Sequence, residues 1–243
     1  MIGGGLRSKP ARTHAFTIGK VLAQIRANGQ EENTLIFFFS DNGGPTPQST
    51  SGDAPLRGFK AQTWEGGIRI AFLMQWNAKI PAGKVDDRPV IQFDIHPTAL
   101  AAAGVKAPGE AKFDGVNLLP YPTGKKSGPP HDALYWRFGQ QIAIRSGDWK
   151  LVKGAGMASV KPPAAGGKAT TDAGLYNVTA DIGEKTNLAQ KNPEKLKELA
   201  ALWDTWNAGN IDAAWGPGAR RNAPNAQPGD PAQPRRKRNQ SAN

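Results

Sequence analysis

The residues best equipped for chemistry lie in one stretch, Thr34 to Arg69, TLIFFFSDNGGPTPQSTSGDAPLRGFKAQTWEGGIR. An apolar run there ends on Asp41, Asn42, Gly43 and Gly44, and Lys60 follows in a glycine-punctuated loop. A carboxylate beside an amide carbonyl supplies two hard oxygen ligands, suited to Ca2+ or Mg2+ rather than to a soft metal. The two glycines let the backbone turn away and leave a metal face open. Lys60 is a compact cation able to meet an anionic oxygen arriving at such a metal. Asn-Gly is also a common turn dipeptide, and the four residues alone read more simply as a turn.

Ligands of this kind need rigid elements behind them. TIGKVLAQIRANG places Ile18, Val21, Leu22 and Ile25 at helical spacing and stops on Gly29, the pattern of an amphipathic helix. TLIFFFS is a continuous apolar run bounded by turn residues, which predicts a strand buried on both faces of a parallel sheet. In open α/β sheets ligands bind beyond the carboxyl ends of strands, where Asp41 and Asn42 stand. A second strand is expected at IRIAFLMQW, and the long connection from Asn42 to about Glu65 is of a length that is usually functional. VIQFDIHPTALAAAGV reads as a short strand entering a helix, with Pro97 in its first turn and Gly104 as terminator. Together these segments predict a doubly wound α/β arrangement.

After DGVNLLPYPTGKKSGPP the texture changes. HDALYWRF, QQIAIRSGDWKLVK and AGLYNV predict short strands of an antiparallel sheet. NPEKLKELAALWDTWNAG sets Leu196, Leu199, Leu202, Trp203 and Trp206 on one face of a closing helix. The expected organisation is a partial α/β domain over 1–120, a smaller sheet-plus-helix domain over 121–216, and a disordered basic tail over 217–243.

The 243 residues allow one large domain or two smaller ones, and 29 Gly with 20 Pro predict a loop-rich protein. The net charge of +11 invites a nucleic-acid reading, but nearly half of it comes from Arg220, Arg221, Arg235, Arg236, Lys237 and Arg238, opposed only by Asp230. Such a tail touches phosphates or acidic polysaccharide without specificity, so no specific nucleic-acid partner is expected. The absence of cysteine excludes disulfides, thiolate chemistry and Cys-ligated zinc. No unbroken apolar run exceeds the five residues of Leu35 to Phe39, far too short to span a bilayer, and MIGGGLRSKPAR holds no secretory signal.

FSDNGG, then LRGFKAQTWEGGIRIAF, then FDIHPTALAAAG, in this order and spacing, resemble the sulfatase family. AIRSGDWKLV and LYNVTADIGEKTNLA extend the likeness, which runs from about Ile18 to Trp206. The resemblance implies an alkaline-phosphatase-like sheet fragment followed by the smaller domain, and hydrolysis of sulfate esters by the intact enzyme. It implies Ca2+ binding by Asp41 and Asn42, and sulfate binding by Lys60 as the catalytic cation. It leaves the ester and the oligomeric state open. Members are often periplasmic or secreted, which the start of this chain does not support.

The family's nucleophile is a formylglycine made from Cys or Ser in C/S-x-P-S/A-R, far upstream of Asp-Asn-Gly, where an earlier strand adds paired aspartates to the metal. Only 40 residues precede Asp41 here, so the chain is expected to represent the carboxy-terminal portion and to be inactive alone. SKPAR, Ser8 to Arg12, fits the nucleophile motif literally, but without its partner strand or aspartates it reads as a chance match. Rival readings are a phosphodiesterase, phosphatase or phosphonate hydrolase of the same superfamily, and a non-catalytic module holding anionic polymers. Asn42 and the WEGGIR loop favour the single-Ca2+ type over the two-metal hydrolases. Trp64 and Glu65-Gly66-Gly67 are expected to shape the lysine loop, and His96 to serve helix entry. His14 and His131 have no metal-spaced companion. Asn177 and Asn239 fit glycosylation acceptors without a signal to support that use. PTGKKS lacks the first glycine and the strand of a phosphate loop.

Overall fold

The computed structural model describes residues 9–44, 53–154 and 170–211, so Ser8, Asn239 and the basic tail lie outside the described residues. Helix α1 (Lys9–Ala27) ends where Gly29, at φ +69°, takes the left-handed turn a side chain would resist. A 3-10 turn over Glu31–Asn33 leads into strand β1 (Ile36–Phe39). A short helix α2 (Glu65–Ile68) precedes strand β2 (Phe72–Gln75). No helix among the described residues is long and apolar enough to cross a membrane.

The mixed α/β class matches the expectation, but the strand direction does not. β1 and β2 pair antiparallel, from Ile36 opposite Gln75 to Phe39 opposite Phe72. Nor is β1 buried on both faces, for Phe38 is 48% exposed and its partner Leu73 is 56% exposed. A continuous apolar run reports two apolar faces and leaves open what covers them. The antiparallel return has a consequence for the site: the end of β1 and the start of β2 share one edge of the ribbon. Asp41 therefore emerges beside Arg69 and Ile70.

The strand expected before α3 (Ile95–Ala102) is instead a 3-10 turn over Gln92–Asp94. The Ile91 N–H donates to Asp94 Oδ2 at 2.9 Å, so a donor that a strand neighbour would need is satisfied inside the segment. Pro97 does fall in the first turn of α3, and Gly104 follows it at φ +68°.

Strands β3 (Leu134–Phe138), β4 (Gln141–Ser146), β5 (Trp149–Lys153) and β6 (Gly174–Asn177) form one antiparallel sheet in sequence order. One face carries Ile142, Ile144, Leu151 and Leu175, packed on Leu199 and Trp203 of helix α4 (Pro193–Ala208). Leu202, expected on that stripe, is 40% exposed, because the buried arc is already filled by Leu196, Leu199, Ala200, Trp203 and Trp206. The opposite face presents Ala143, Val152, Tyr176 and Val178 to Trp64 and Trp136. Trp64 belongs to the lysine loop, so the sheet lies between a helix and the loop that carries the candidate site.

Candidate active site

Three glycine-bearing strings meet main chain to main chain beyond β1. Ser40 N–H extends the ladder to Ala71 O at 3.2 Å, and Gly43 N–H donates to Gly67 O at 3.0 Å. The Lys60 N–H donates to Gly44 O at 3.1 Å, and Gly66 N–H to Arg57 O at 2.6 Å. A Cβ on Gly43 would stand 1.7 Å from Gly66 O, and one on Gly67 would stand 2.0 Å from Gln62 O. These contacts are closer than any side chain allows, so the glycines are required by packing.

Asp41 and Asn42 sit at this junction. Gln92 Nε2 donates to Ser40 O at 3.1 Å and Asp41 O at 2.9 Å, and Ser40 Oγ donates to Asn42 O at 2.9 Å. The Asp41 carboxylate is exposed and accepts its neighbour's Asn42 N–H at 3.1 Å through one oxygen. Both residues line a groove of about 2450 Å3. Lys60 is joined to them through its main chain; its exposed side chain forms no ion pair among the described residues and is not part of the groove lining. Among the described residues no group of three or more His, Cys, Asp or Glu is arranged to hold a metal.

The lysine loop is clamped to the sheet by a buried ion cluster that sequence reasoning missed. Lys150 of β5 is fully buried, with its Nζ 2.8 Å from Glu65 Oε1 and 2.9 Å from Glu184 Oε1. Glu184 Oε2 accepts the Glu65 N–H at 2.7 Å. Burial is the largest influence on Glu65 and opposes its charge, but Lys150, with Arg145 and Arg69, holds its carboxyl below the ordinary range. Burial pushes Glu184 up, and Lys150 offsets this only in part. Arg57 completes the clamp: its guanidinium lies 3.6 Å over the Trp64 ring and donates to Glu184 O at 3.0 Å. Gln141 Nε2 donates to Ala61 O at 2.8 Å, next to Lys60.

Glu65 thus does more than shape a turn. The available signal was that Lys150 stands between Trp149 and Leu151 in an apolar strand, and that Glu65 lies between Trp64 and Gly66. His131 has a hydrogen-bonding partner that the sequence did not reveal: its Nε2 lies 2.8 Å and 3.0 Å from the two oxygens of fully buried Asp94. Asp94 accepts the Val116 N–H as well, at 2.8 Å, so this pair staples the segment before α3 to the start of the sheet region. His96 stands in the first turn of α3, edge-on to Phe113, as helix entry requires.

A strand end bearing Asp41 and Asn42 thus stands beside the loop that carries Lys60. Residues 15–105 match the family model Sulfatase. The chain is 31% identical to the uncharacterized sulfatase YdeN of Escherichia coli K12, over 76% of this chain and 37% of that protein. Mouse steryl-sulfatase is 33% identical over 49% of this chain and 20% of its own length. Among solved structures, Ps i-CgsB superposes with a TM-score of 0.69 at 29% identity, covering 82% of this chain and 42% of that one. PsFucS1 sulfatase from Pseudoalteromonas sp. superposes with a TM-score of 0.62 at 27% identity, over 80% and 42%. Over residues 15–105 and beyond, the chain is similar to members of the sulfatase family. It spans less than half the length of each of these relatives.

Proposed function

We propose that this chain supplies the metal edge and the sulfate-binding lysine of a sulfuric ester hydrolase. The observation that carries the reading is the main-chain interlock of Asp41–Gly44 with Gly67 and Lys60, which supports a shared site for the oxygen ligands and the lysine. The donor set fits Ca2+ in kind: the Asp41 carboxylate is exposed at a strand end, and Asn42 adds an amide oxygen. When bound there, Ca2+ supplies positive charge to the oxygens of a sulfate ester. Asp41 and Asn42 would hold it. Lys60 binds the anionic sulfate oxygens and neutralises charge that grows there during transfer. The clamp of Lys150, Glu65 and Glu184 keeps the lysine loop from yielding when the anion arrives. Ps i-CgsB has also been solved in complex with k-i-k-neocarrahexaose, which supports a carbohydrate ester.

The test follows backbone amide signals of the chain during separate titrations with CaCl2 and Na2SO4. Ca2+ should move the Asp41 to Gly44 amides with an affinity on the order of millimolar, the weak end of the known Ca2+ range. Sulfate should move the Lys60 loop, and Lys60→Ala should abolish that response. Sulfate shifts that are unchanged in Lys60→Ala, or Ca2+ shifts confined to other surfaces, would overturn the reading.

A further inference from the structure

The groove that holds Asp41 and Asn42 is also lined by Arg69 and Arg145. Arg145 stands directly opposite Lys150 across β4 and β5, so two cations share one sheet face. Like charges so placed repel unless acids answer them. The acids at hand are already engaged. Glu65 meets Lys150 at 2.8 Å and Arg69 at 3.5 Å, while Glu184 meets Lys150 and the Glu65 N–H. The Nε of Arg145 donates to Gly147 O at 3.3 Å, and its guanidinium forms no ion pair among the described residues. The other groove arginines differ: Arg88 pairs with Asp86, and Arg137 donates to Asn207 and to Ile211 O.

Burial is the largest influence on Arg145; Glu65 and Asp148 oppose it, Arg69 adds to it, and the net shift is downward. The same site therefore carries positive charge that the protein's own carboxylates leave partly unanswered. Guanidinium forks match the planar spread of sulfate oxygens better than an ammonium does.

We propose that Arg69 and Arg145 form a second anion subsite in the groove of Asp41 and Asn42, one that takes a further sulfate of a multiply sulfated carbohydrate. This rests on the sulfate-ester reading above: the metal edge and Lys60 hold the ester that reacts, and the arginines hold a neighbour that does not. A substrate with a single sulfate on an apolar body leaves Arg145 desolvated without an ion partner and Arg69 with only its 3.5 Å contact to Glu65, so the pair selects by penalty as well as by attraction.

The test titrates the full chain with chondroitin disaccharides bearing one or two sulfates, read by amide shifts. The doubly sulfated sugar should bind about tenfold tighter, near the lower end of what one charge-assisted hydrogen bond contributes. Arg69→Gln and Arg145→Gln should bring that ratio towards unity, and Arg145→Lys, which keeps the charge and guards against a folding defect, should retain part of it. Lys60→Ala should weaken both sugars alike. Lys60-dependent binding with an unchanged ratio in both glutamine variants overturns the subsite and leaves the sulfate-ester reading standing. Absence of Lys60-dependent binding to either sugar overturns both.

Discussion

Lys150 is a fully buried amine between two buried carboxylates, and removing it leaves Glu184 without a cation and Glu65 with only Arg69 at 3.5 Å. Lys150→Met should destabilise the fold by about 3–5 kcal/mol in urea unfolding, the scale for breaking one side of a buried pair. The pH dependence carries a sign. Glu65, held below its ordinary value, contributes stability that is present above the unfolded pKa and lost as pH falls through its folded pKa. Glu184, pushed up, contributes in the opposite sense: its share is present below the unfolded pKa and lost as pH rises through its folded pKa. In the wild type the two trends oppose each other. In Lys150→Met Glu184 has lost its cation and Glu65 keeps only Arg69, so the variant should regain more stability than the wild type as pH falls from about 8 to about 5. A variant that loses stability over that interval would show that the cluster is not the origin. At this scale the sequence displayed Asp41, Asn42 and Lys60 by type. It hid Lys150 and Glu184, because a lone charge in a strand or turn reads as solvated until its distant partner is known.

At the level of elements, the glycine junction makes the site a property of backbone contact. Gly43→Ala drives a methyl group into Gly66 O and should cost about 3 kcal/mol or more. Gly83, at φ +70° with open space around it, is the matched control, and Gly83→Ala should cost only the left-handed penalty of about 1–2 kcal/mol. Hydrogen exchange at the Lys60 amide, which donates to Gly44 O, should accelerate in the first variant and not in the second. Equal effects at that amide would remove the junction from the account. Helices α1, α3 and α4, the antiparallel sheet and β1 were legible from periodicity and turn residues. Helix α2 read as a turn, and QQIAIRSGDWKLVK, one segment in the sequence, folds into the two strands β4 and β5. The direction of β2 was not. A connection as long as that from β1 to β2 reaches either a parallel or an antiparallel neighbour, and only the backbone bonds of Ser40 to Ala71 and Gly43 to Gly67 decide between them.

Across the whole molecule, the four-stranded sheet couples α4 on one face to the lysine loop on the other. Trp203 is 1% exposed within the α4 face, and Trp203→Ala should cost about 3–5 kcal/mol. Since Trp64, Glu65 and Ala61 are held by that same sheet, protection of the Lys60 loop should fall in step with protection of β4. Loop protection that stays at its wild-type level in Trp203→Ala would show that the two faces unfold separately. The family likeness of AIRSGDWKLV and DIGEKTNLA was visible in the sequence, but their joint task was not. Motifs are read one at a time, whereas the clamp exists only once they converge.

That convergence sets an order of events at the ribosome. Glu65 lies 85 residues before Lys150, and its N–H meets a carboxylate 119 residues further on. Contacts so distant along the chain bear the loop-closure entropy first and gain their enthalpy last. During synthesis the Lys60 segment emerges early and waits unclamped until β5 and the Glu184 turn have followed, so the candidate site is among the last parts of the molecule to acquire its working shape.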